Sequence, residues 1–148
     1  MNTKNDFLHS LFVLKSLLGA EFGKDTKAKN ATISMPEYVL MKKVFESLDG
    51  NVNLTEVREY LSITKAAVSQ ILSSLEKRGL LIRNTDPSNR RNLILTLTFA
   101  GKAVLEEKDM EVDTRIGEII RALGEDEAKQ LTYLITKMNG ALSASSQI

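Results

Sequence analysis

Residues 61–97 read LSITKAAVSQILSSLEKRGLLIRNTDPSNRRNLILTL, and the order of patterns in this stretch decides the fold. Thr64 is a helix cap, and Val68, Ile71, Leu72 and Leu75 then recur three or four apart up to Arg78, which turns one apolar face inward. Gly79 stops that helix. Just upstream, Leu54, Val57 and Leu61 mark a shorter helix over 55–61, so the turn Leu61-Ser62-Ile63-Thr64 joins two helices in a helix-turn-helix pattern. Downstream, Leu80-Leu81-Ile82-Arg83 reads as a strand, and Leu93, Leu95 and Leu97 alternate with Asn92, Ile94 and Thr96 as a second. The stretch Asn84–Arg91 between them holds Asp, Pro, Ser and Asn, whose turn chemistry makes it the expected loop. A helix-turn-helix followed at once by a β-hairpin with a basic tip is a winged helix.

Outward from this core the chain is helical. Ser34 has the chemistry of an N-cap, with Pro36 and Glu37 in the first turn, where a missing amide hydrogen and a negative charge both suit a helix. Tyr38, Met41, Phe45 and Leu48 are expected to face inward from it, and Asp49-Gly50-Asn51 to end it. Before it, residues 6–22 carry Phe7, Leu11, Leu14, Leu18 and Phe22 along one face, and 23–34 reads as a basic loop. After the hairpin, one helix is expected from Thr98 to about Leu123, with Val104, Val112, Ile116, Ile119 and Ile120 on its apolar face. A break near Gly124 leads to another helix, Glu125 to about Leu142, lined by Leu131, Leu134, Ile135, Met138 and Leu142; residues 143–147 are expected to fray. The fold class is therefore mainly α with a small β-hairpin wing. A single domain over 1–148 is expected, with a winged lobe at about 34–97 and flanking helices at about 6–22 and 98–142. The flanking apolar faces must be buried, and interleaving with a second copy would bury them. Such a homodimer would present two helix-turn-helix units about one turn of DNA apart.

Composition narrows function. The 148 residues are 43% hydrophobic and 26% charged, with no Cys and one His. Without thiols there is no disulfide framework, thiolate metal site or nucleophilic cysteine, and a lone histidine makes neither an all-histidine metal site nor a base-assisted dyad. His9 lies beside Phe7, Leu8 and Leu11 and reads as a structural or interface residue. Asp86, Asp109 and Asp113 are carboxylates that no pattern pairs for catalysis, and no Gly-rich phosphate loop is present, so an enzyme and a bound cofactor are not expected. The apolar run Leu11-Phe12-Val13-Leu14 is stopped by Lys15, too short for a signal peptide or membrane span. A soluble, cytoplasmic chain with no membrane partner is expected.

The net charge is only +1, but it is unevenly spread. From Lys65 to Arg91 six basic residues face two acids, whereas Ala103 to Ala128 holds nine acids and three bases. A basic stretch on the helix-turn-helix and hairpin suits a polyanion. At the start of the second helix, Lys65 can meet a phosphate or guanine edge, and Gln70 can pair bidentately with adenine. The small residues Ala66 and Ser69 let the helix approach a groove closely. Arg90 and Arg91 at the hairpin tip could reach a minor groove or its phosphates. Lys77 and Arg78 suit a helix C-terminus whether or not DNA is present. Arg83 could pair with Asp86, or hold the hairpin against the helices. A winged helix that binds another protein instead would share these features but show weak, sequence-blind DNA binding.

At the level of motifs, the chain resembles the multiple-antibiotic-resistance regulator (MarR) family, most strongly from Leu54 to Glu107. Three pieces carry the resemblance: Leu61–Ser69, then Leu75-Glu76-Lys77-Arg78-Gly79-Leu80-Leu81-Ile82-Arg83, then Asp86-Pro87-Ser88-Asn89-Arg90-Arg91. Leu97-Thr98-Phe99-Ala100-Gly101 follows, similar to the family's Leu-Thr-x-x-Gly start of its fifth helix. The resemblance implies a cytoplasmic homodimeric transcriptional regulator, expected to repress, on a pseudo-palindromic operator of double-stranded DNA. It places Thr64, Lys65, Ala66, Ser69 and Gln70 at the major groove and Arg90 and Arg91 in the wing, supported by Arg83, Asp86 and Asn89. It also implies a small phenolic or anionic effector. Two departures stand out. Asn89-Arg90-Arg91 replaces the usual Asp-x-Arg of the wing, which loses an ion pair, and Ser62 replaces the Gly common in the turn, read as the milder change.

Overall fold

The computed structural model describes residues 2–22 and 33–146, with the side chains of 22, 90–92, 145 and 146 outside the description. Among the described residues, six helices and one hairpin follow in chain order: α1 (Thr3–Phe22), α2 (Met35–Glu46), α3 (Leu54–Leu61), α4 (Lys65–Lys77), β1 (Leu81–Asp86), β2 (Asn89–Leu97), α5 (Phe99–Leu123) and α6 (Glu125–Ser146). The observed class is thus the expected one, mainly α with a two-stranded wing. Most of the basic loop expected over 23–34 lies outside the described residues. The chain divides into two compact units, Met1–Lys108 and Asp109–Ile148.

In the first unit, local chemistry sets the helix boundaries. Ser34 starts α2 with a full capping box: its Oγ accepts the Glu37 amide hydrogen at 3.3 Å while Glu37 Oε1 accepts the Ser34 amide at 2.8 Å. Asn53 Oδ1 accepts the amides of Thr55 and Glu56 to start α3, and Thr64 Oγ1 accepts the Ala67 amide at 3.1 Å to start α4. Each cap satisfies donors that the first turn leaves without a helical partner. The core beneath them is apolar: Leu40, Met41 and Val44 of α2, Val57 of α3, Val68, Leu72 and Leu75 of α4, and Leu81, Leu95 and Leu97 of the hairpin are all buried.

Two inward positions expected on α2 are corrected. Phe45 is 60% exposed and Leu48 is fully exposed, although Tyr38 and Met41 are buried as expected. The buried arc of α2 centres on Leu40, Met41 and Val44, which leaves Phe45 on its flank. The helix also ends at Glu46, before Asp49-Gly50-Asn51, because Ser47 turns to an extended ψ of 122°. Asp49 then gathers the Ser47 hydroxyl and the Asn51 amide onto its carboxylate, which places Leu48 on a turn rather than a helix face.

The hairpin is also longer than its sequence pattern suggests. Asn84–Arg91 is not a loop: β1 runs to Asp86 and β2 begins at Asn89, leaving Pro87 and Ser88 as the connection. Ser88 donates both its amide (2.9 Å) and its hydroxyl (2.7 Å) to Asp86 Oδ1, an Asx turn that reverses the chain in two residues. The strands pair antiparallel from Leu81↔Leu97 to Thr85↔Leu93, and the register shifts between Thr85 and Asp86. Asn51 bridges to Ile94, which ties the turn after α2 to the sheet.

At the base of the hairpin the end of α4 meets the start of α5. The Thr98 amide donates to Leu80 O at 3.1 Å and its hydroxyl to Gly79 O at 2.6 Å, while Thr98 Oγ1 accepts the Gly101 amide at 3.0 Å. Gly101 is buried there, and a Cβ on it would lie 2.0 Å from Leu80 O, far inside any tolerable contact. The backbones approach this closely because Gly101 has no side chain.

The second unit is the C-terminal part of α5, Gly124, and α6. Glu125, Asp126 and Glu127 fill the first turn of α6, where negative charge suits the helix dipole. The expected apolar faces are present but exposed: Ile116, Ile119, Ile120, Leu131, Leu134, Ile135 and Leu142. Fraying over 143–147 is corrected as far as the description reaches, since α6 continues to Ser146; Gln147 lies outside the described residues. In the first unit, α1 likewise exposes Phe7, Leu8, Phe12, Leu14 and Leu17. Among the described residues no helix is long and apolar enough to cross a membrane.

Candidate nucleic-acid interface

The apolar stripe of α4 fixes what its other side presents. With Val68, Leu72 and Leu75 buried, Lys65, Ala66, Ser69, Gln70, Ser73 and Lys77 fall on the exposed side. An open groove of about 540 Å³ follows this face, lined by Ser69, Gln70, Ser73, Ser74, Lys77 and Arg78. Small and hydroxyl side chains along a helix, with amines at either end, are what close approach to a DNA groove asks for. Lys65, Ala66, Ser69 and Gln70 therefore share one exposed face. Ser73, one turn beyond Ser69, shares it too, and the three-to-four spacing from Ser69 and Gln70 was the signal for it. Thr64 stands at the same end but in a different role: its Oγ1 is the cap acceptor for Ala67.

Two αL residues close the helix ends around this face. Gly79 has φ 71°, with its amide on Glu76 O at 3.0 Å and the Leu80 amide on Leu75 O at 2.9 Å. Ser62 has φ 54° with the same pair of bonds, its own amide to Glu59 O (3.2 Å) and the Ile63 amide to Arg58 O (3.1 Å). Both are Schellman ends. The Ser62 replacement is therefore not a mild change of side chain: it puts a Cβ where the backbone favours glycine.

Charge pairs anchor the C-terminal end of α4. Arg78, its C-cap, donates to Glu37 Oε2 of α2, and its Nε donates to Ser74 O at 3.4 Å. Arg83 of β1 pairs with Glu76 at 2.5 Å, so of its two expected roles it holds the hairpin against the helix and does not pair with Asp86. The Asp86 carboxyl is instead held below its usual range by hydrogen bonds from Ser88, the hydroxyl first and then the amide. Asn89 starts β2, which also carries Arg90 and Arg91 in its backbone; the side chains of those two arginines lie outside the described residues. Among the described residues, no three His, Asp or Glu side chains gather to hold a metal.

Comparison with known proteins points the same way. Residues 33–93, which span the lobe from the α2 cap into β2, match the model of the MarR family. The chain is 27% identical over 117 residues to the HTH-type transcriptional regulator FarR of Neisseria gonorrhoeae, covering 77% of this chain and 79% of FarR. It is 29% identical over 89 residues to the uncharacterized HTH-type transcriptional regulator YwaE of Bacillus subtilis, covering 60% of this chain and about half (52%) of YwaE. Among solved structures, the Staphylococcus aureus MepR–DNA complex superposes with a TM-score of 0.73 at 22% identity, over 90% of this chain and 96% of MepR. The transcriptional repressor CouR bound to a 23-mer DNA duplex gives 0.72 at 25%, over 94% and 96%. PcaV of Streptomyces coelicolor with its natural ligand gives 0.70 at 19%, over 96% and 97%.

Proposed function

Residues 33–93 of this chain form a MarR-family winged-helix lobe, and from that premise we propose that the protein is a sequence-specific repressor of transcription acting on double-stranded DNA as a homodimer. The observation that carries the reading is the exposed face of α4. It sets Lys65, Ala66, Ser69 and Gln70 side by side on a helix whose apolar side is buried in the lobe. In this reading α4 lies in the major groove, Gln70 and Lys65 meet base edges or phosphates, and Arg90 and Arg91 follow the minor groove from the wing. Solved DNA complexes of similar chains support it.

The homodimer is supported by the apolar residues left exposed in series along α1, α5 and α6, since contiguous apolar faces of this kind mark surfaces that a partner covers. Two copies related by a twofold axis read an inverted repeat, which makes the operator pseudo-palindromic. Release by a small effector is supported by the similar chain PcaV, solved with its natural ligand. An effector of this kind would act by binding the DNA-competent and DNA-incompetent dimers unequally.

The test is selection from a random duplex pool by purified protein at about 150 mM salt, a concentration that suppresses purely electrostatic binding. An enriched inverted repeat with half-sites about 10 bp apart is expected. Binding that enriches nothing and vanishes with salt would refute the reading, and would leave a winged helix that binds another protein.

A further inference from the structure

We propose that Glu37 is a positioning residue for DNA reading, acting on α4 through Arg78; the inference rests on the DNA-reading role above. Glu37 lies in α2, off the exposed face of α4, and its two carboxylate oxygens serve two different elements. Oε1 accepts the Ser34 amide and closes the α2 cap at 2.8 Å, and Oε2 accepts from Arg78 at the C-cap of α4. The Glu37 side chain is 14% exposed and that of Arg78 36%, so the pair sits at the edge of the lobe rather than in open solvent. With Glu76–Arg83 on the hairpin side, the last turn of α4 is held by ion pairs to two neighbouring elements.

That end needs holding. The rest of α4 rests on an apolar stripe of Val68, Leu72 and Leu75, and non-directional contacts of this kind resist separation better than they resist a small roll. Side-chain tips lie about 5–6 Å from a helix axis, so a roll of about 10° moves them by about 1 Å. A shift of that size breaks a base-edge hydrogen bond, whose useful range is a few tenths of an ångström. It matters little to a lysine on a flexible stem meeting a phosphate. Loss of the Glu37–Arg78 pair should therefore cost base discrimination and leave general affinity for DNA alone. A single ion pair at the lobe edge contributes modestly to stability, and urea unfolding separates the two effects.

Glu37→Gln is the clean variant, because glutamine at the third helical position can still accept the cap amide of Ser34 while losing the charge that Arg78 meets. The full-length wild-type chain, Glu37→Gln, Arg78→Gln and the double variant would be titrated onto the duplex enriched by the wild type and onto a scrambled copy, at several salt concentrations. Urea unfolding of each would run alongside. Glu37→Gln should bind the selected duplex about three- to tenfold more weakly and the scrambled duplex within about twofold. Arg78→Gln also removes a cation from the groove and should lose some affinity on both, and the double variant should be no worse on the selected duplex than Arg78→Gln alone. The salt dependence of Glu37→Gln should not change. Tighter binding of Glu37→Gln to both duplexes with a steeper salt dependence would mean that Glu37 merely withholds Arg78 from phosphate, and would overturn the proposal. Additive losses in the double variant, or equal losses on both duplexes that follow lost stability, would overturn it as well. Should Glu37→Gln not fold, Glu37→Asp decides, by whether its loss falls on the selected duplex or on both. A wild-type chain that does not distinguish the duplexes ends the DNA-reading role and this inference with it, a failure visible before any variant is made.

Discussion

Ser62 offers a stability change whose size follows from backbone geometry alone. It occupies φ 54°, ψ 46° at the end of α3, the position that Gly79 fills with φ 71° at the end of α4. The two helix ends close with the same pair of hydrogen bonds, so they differ mainly in residue type. An L residue in the left-handed region is disfavoured by roughly 1–2 kcal/mol. Glycine removes that strain but gives the unfolded chain more freedom, which returns about 0.4–1 kcal/mol. Ser62→Gly should therefore stabilise the protein by about 0.5–1 kcal/mol. Gly79→Ala is the mirror experiment: the added Cβ would meet nothing within 4 Å, so its cost is backbone strain and should reach about 1 kcal/mol. Urea unfolding followed by helical circular dichroism reads both, as midpoints shifting in opposite directions with unchanged slopes. A lower midpoint for Ser62→Gly, or no change for Gly79→Ala, would show that left-handed strain does not set the stability of these turns.

Thr64→Ala should destabilise by about 1 kcal/mol through the lost cap, and Thr64→Ser should restore it in the same urea assay; failure of serine to restore would deny the capping role. Gln70→Ala should reduce discrimination between the selected duplex and single-base variants of it by about 1–3 kcal/mol at one position, with scrambled-duplex affinity unchanged. Equal losses on every duplex would place Gln70 on the phosphate backbone. The Asp86 carboxyl is depressed in the folded state by Ser88, so its contribution to the turn is present above the usual carboxylate value of 3.8 and lost as pH falls through the depressed one. The Ser88 amide resonance should therefore titrate with a midpoint below 3.8, and a midpoint at or above it would mean that the turn hydrogen bonds are absent in solution.

What was legible in the sequence is mostly what neighbouring residues decide between themselves. Ser34, Thr64 and Gly79 bound their helices as read, because a cap needs only a side chain and the amides two or three residues on. The side-by-side placement of Lys65, Ala66, Ser69 and Gln70 was legible for the same reason, since burial of Val68, Leu72 and Leu75 dictates it. Leu48 was misplaced because periodicity does not announce where a helix stops, and the Asp49 turn stopped this one early. Phe45 lies within α2 but on the flank of an arc centred on Leu40, Met41 and Val44, a rotation that spacing alone does not fix. The hairpin was read too short because Asn84, Thr85 and Asn89 suit loops, whereas Asp86 closes the turn tightly enough for strand pairing to continue through them. The left-handed geometry of Ser62 was hidden because serine does not advertise it. The partnership of Glu37 with Arg78 spans 41 positions, and no local pattern encodes it.

The contact of Gly101 with Leu80 O bears on how genetics would portray this protein. Any other residue at 101 drives a Cβ into a carbonyl at 2.0 Å, so every missense change there is a damaging one. A screen for mutants that have lost control of a target promoter would collect substitutions at this codon as readily as substitutions on the face of α4, and a map drawn from phenotype alone would colour both as DNA contacts. Growth temperature would tell them apart. Alleles on the α4 face should fail at every temperature, whereas the milder alleles at 101 should regain control in the cold, marking a joint in the scaffold and not a point of touch.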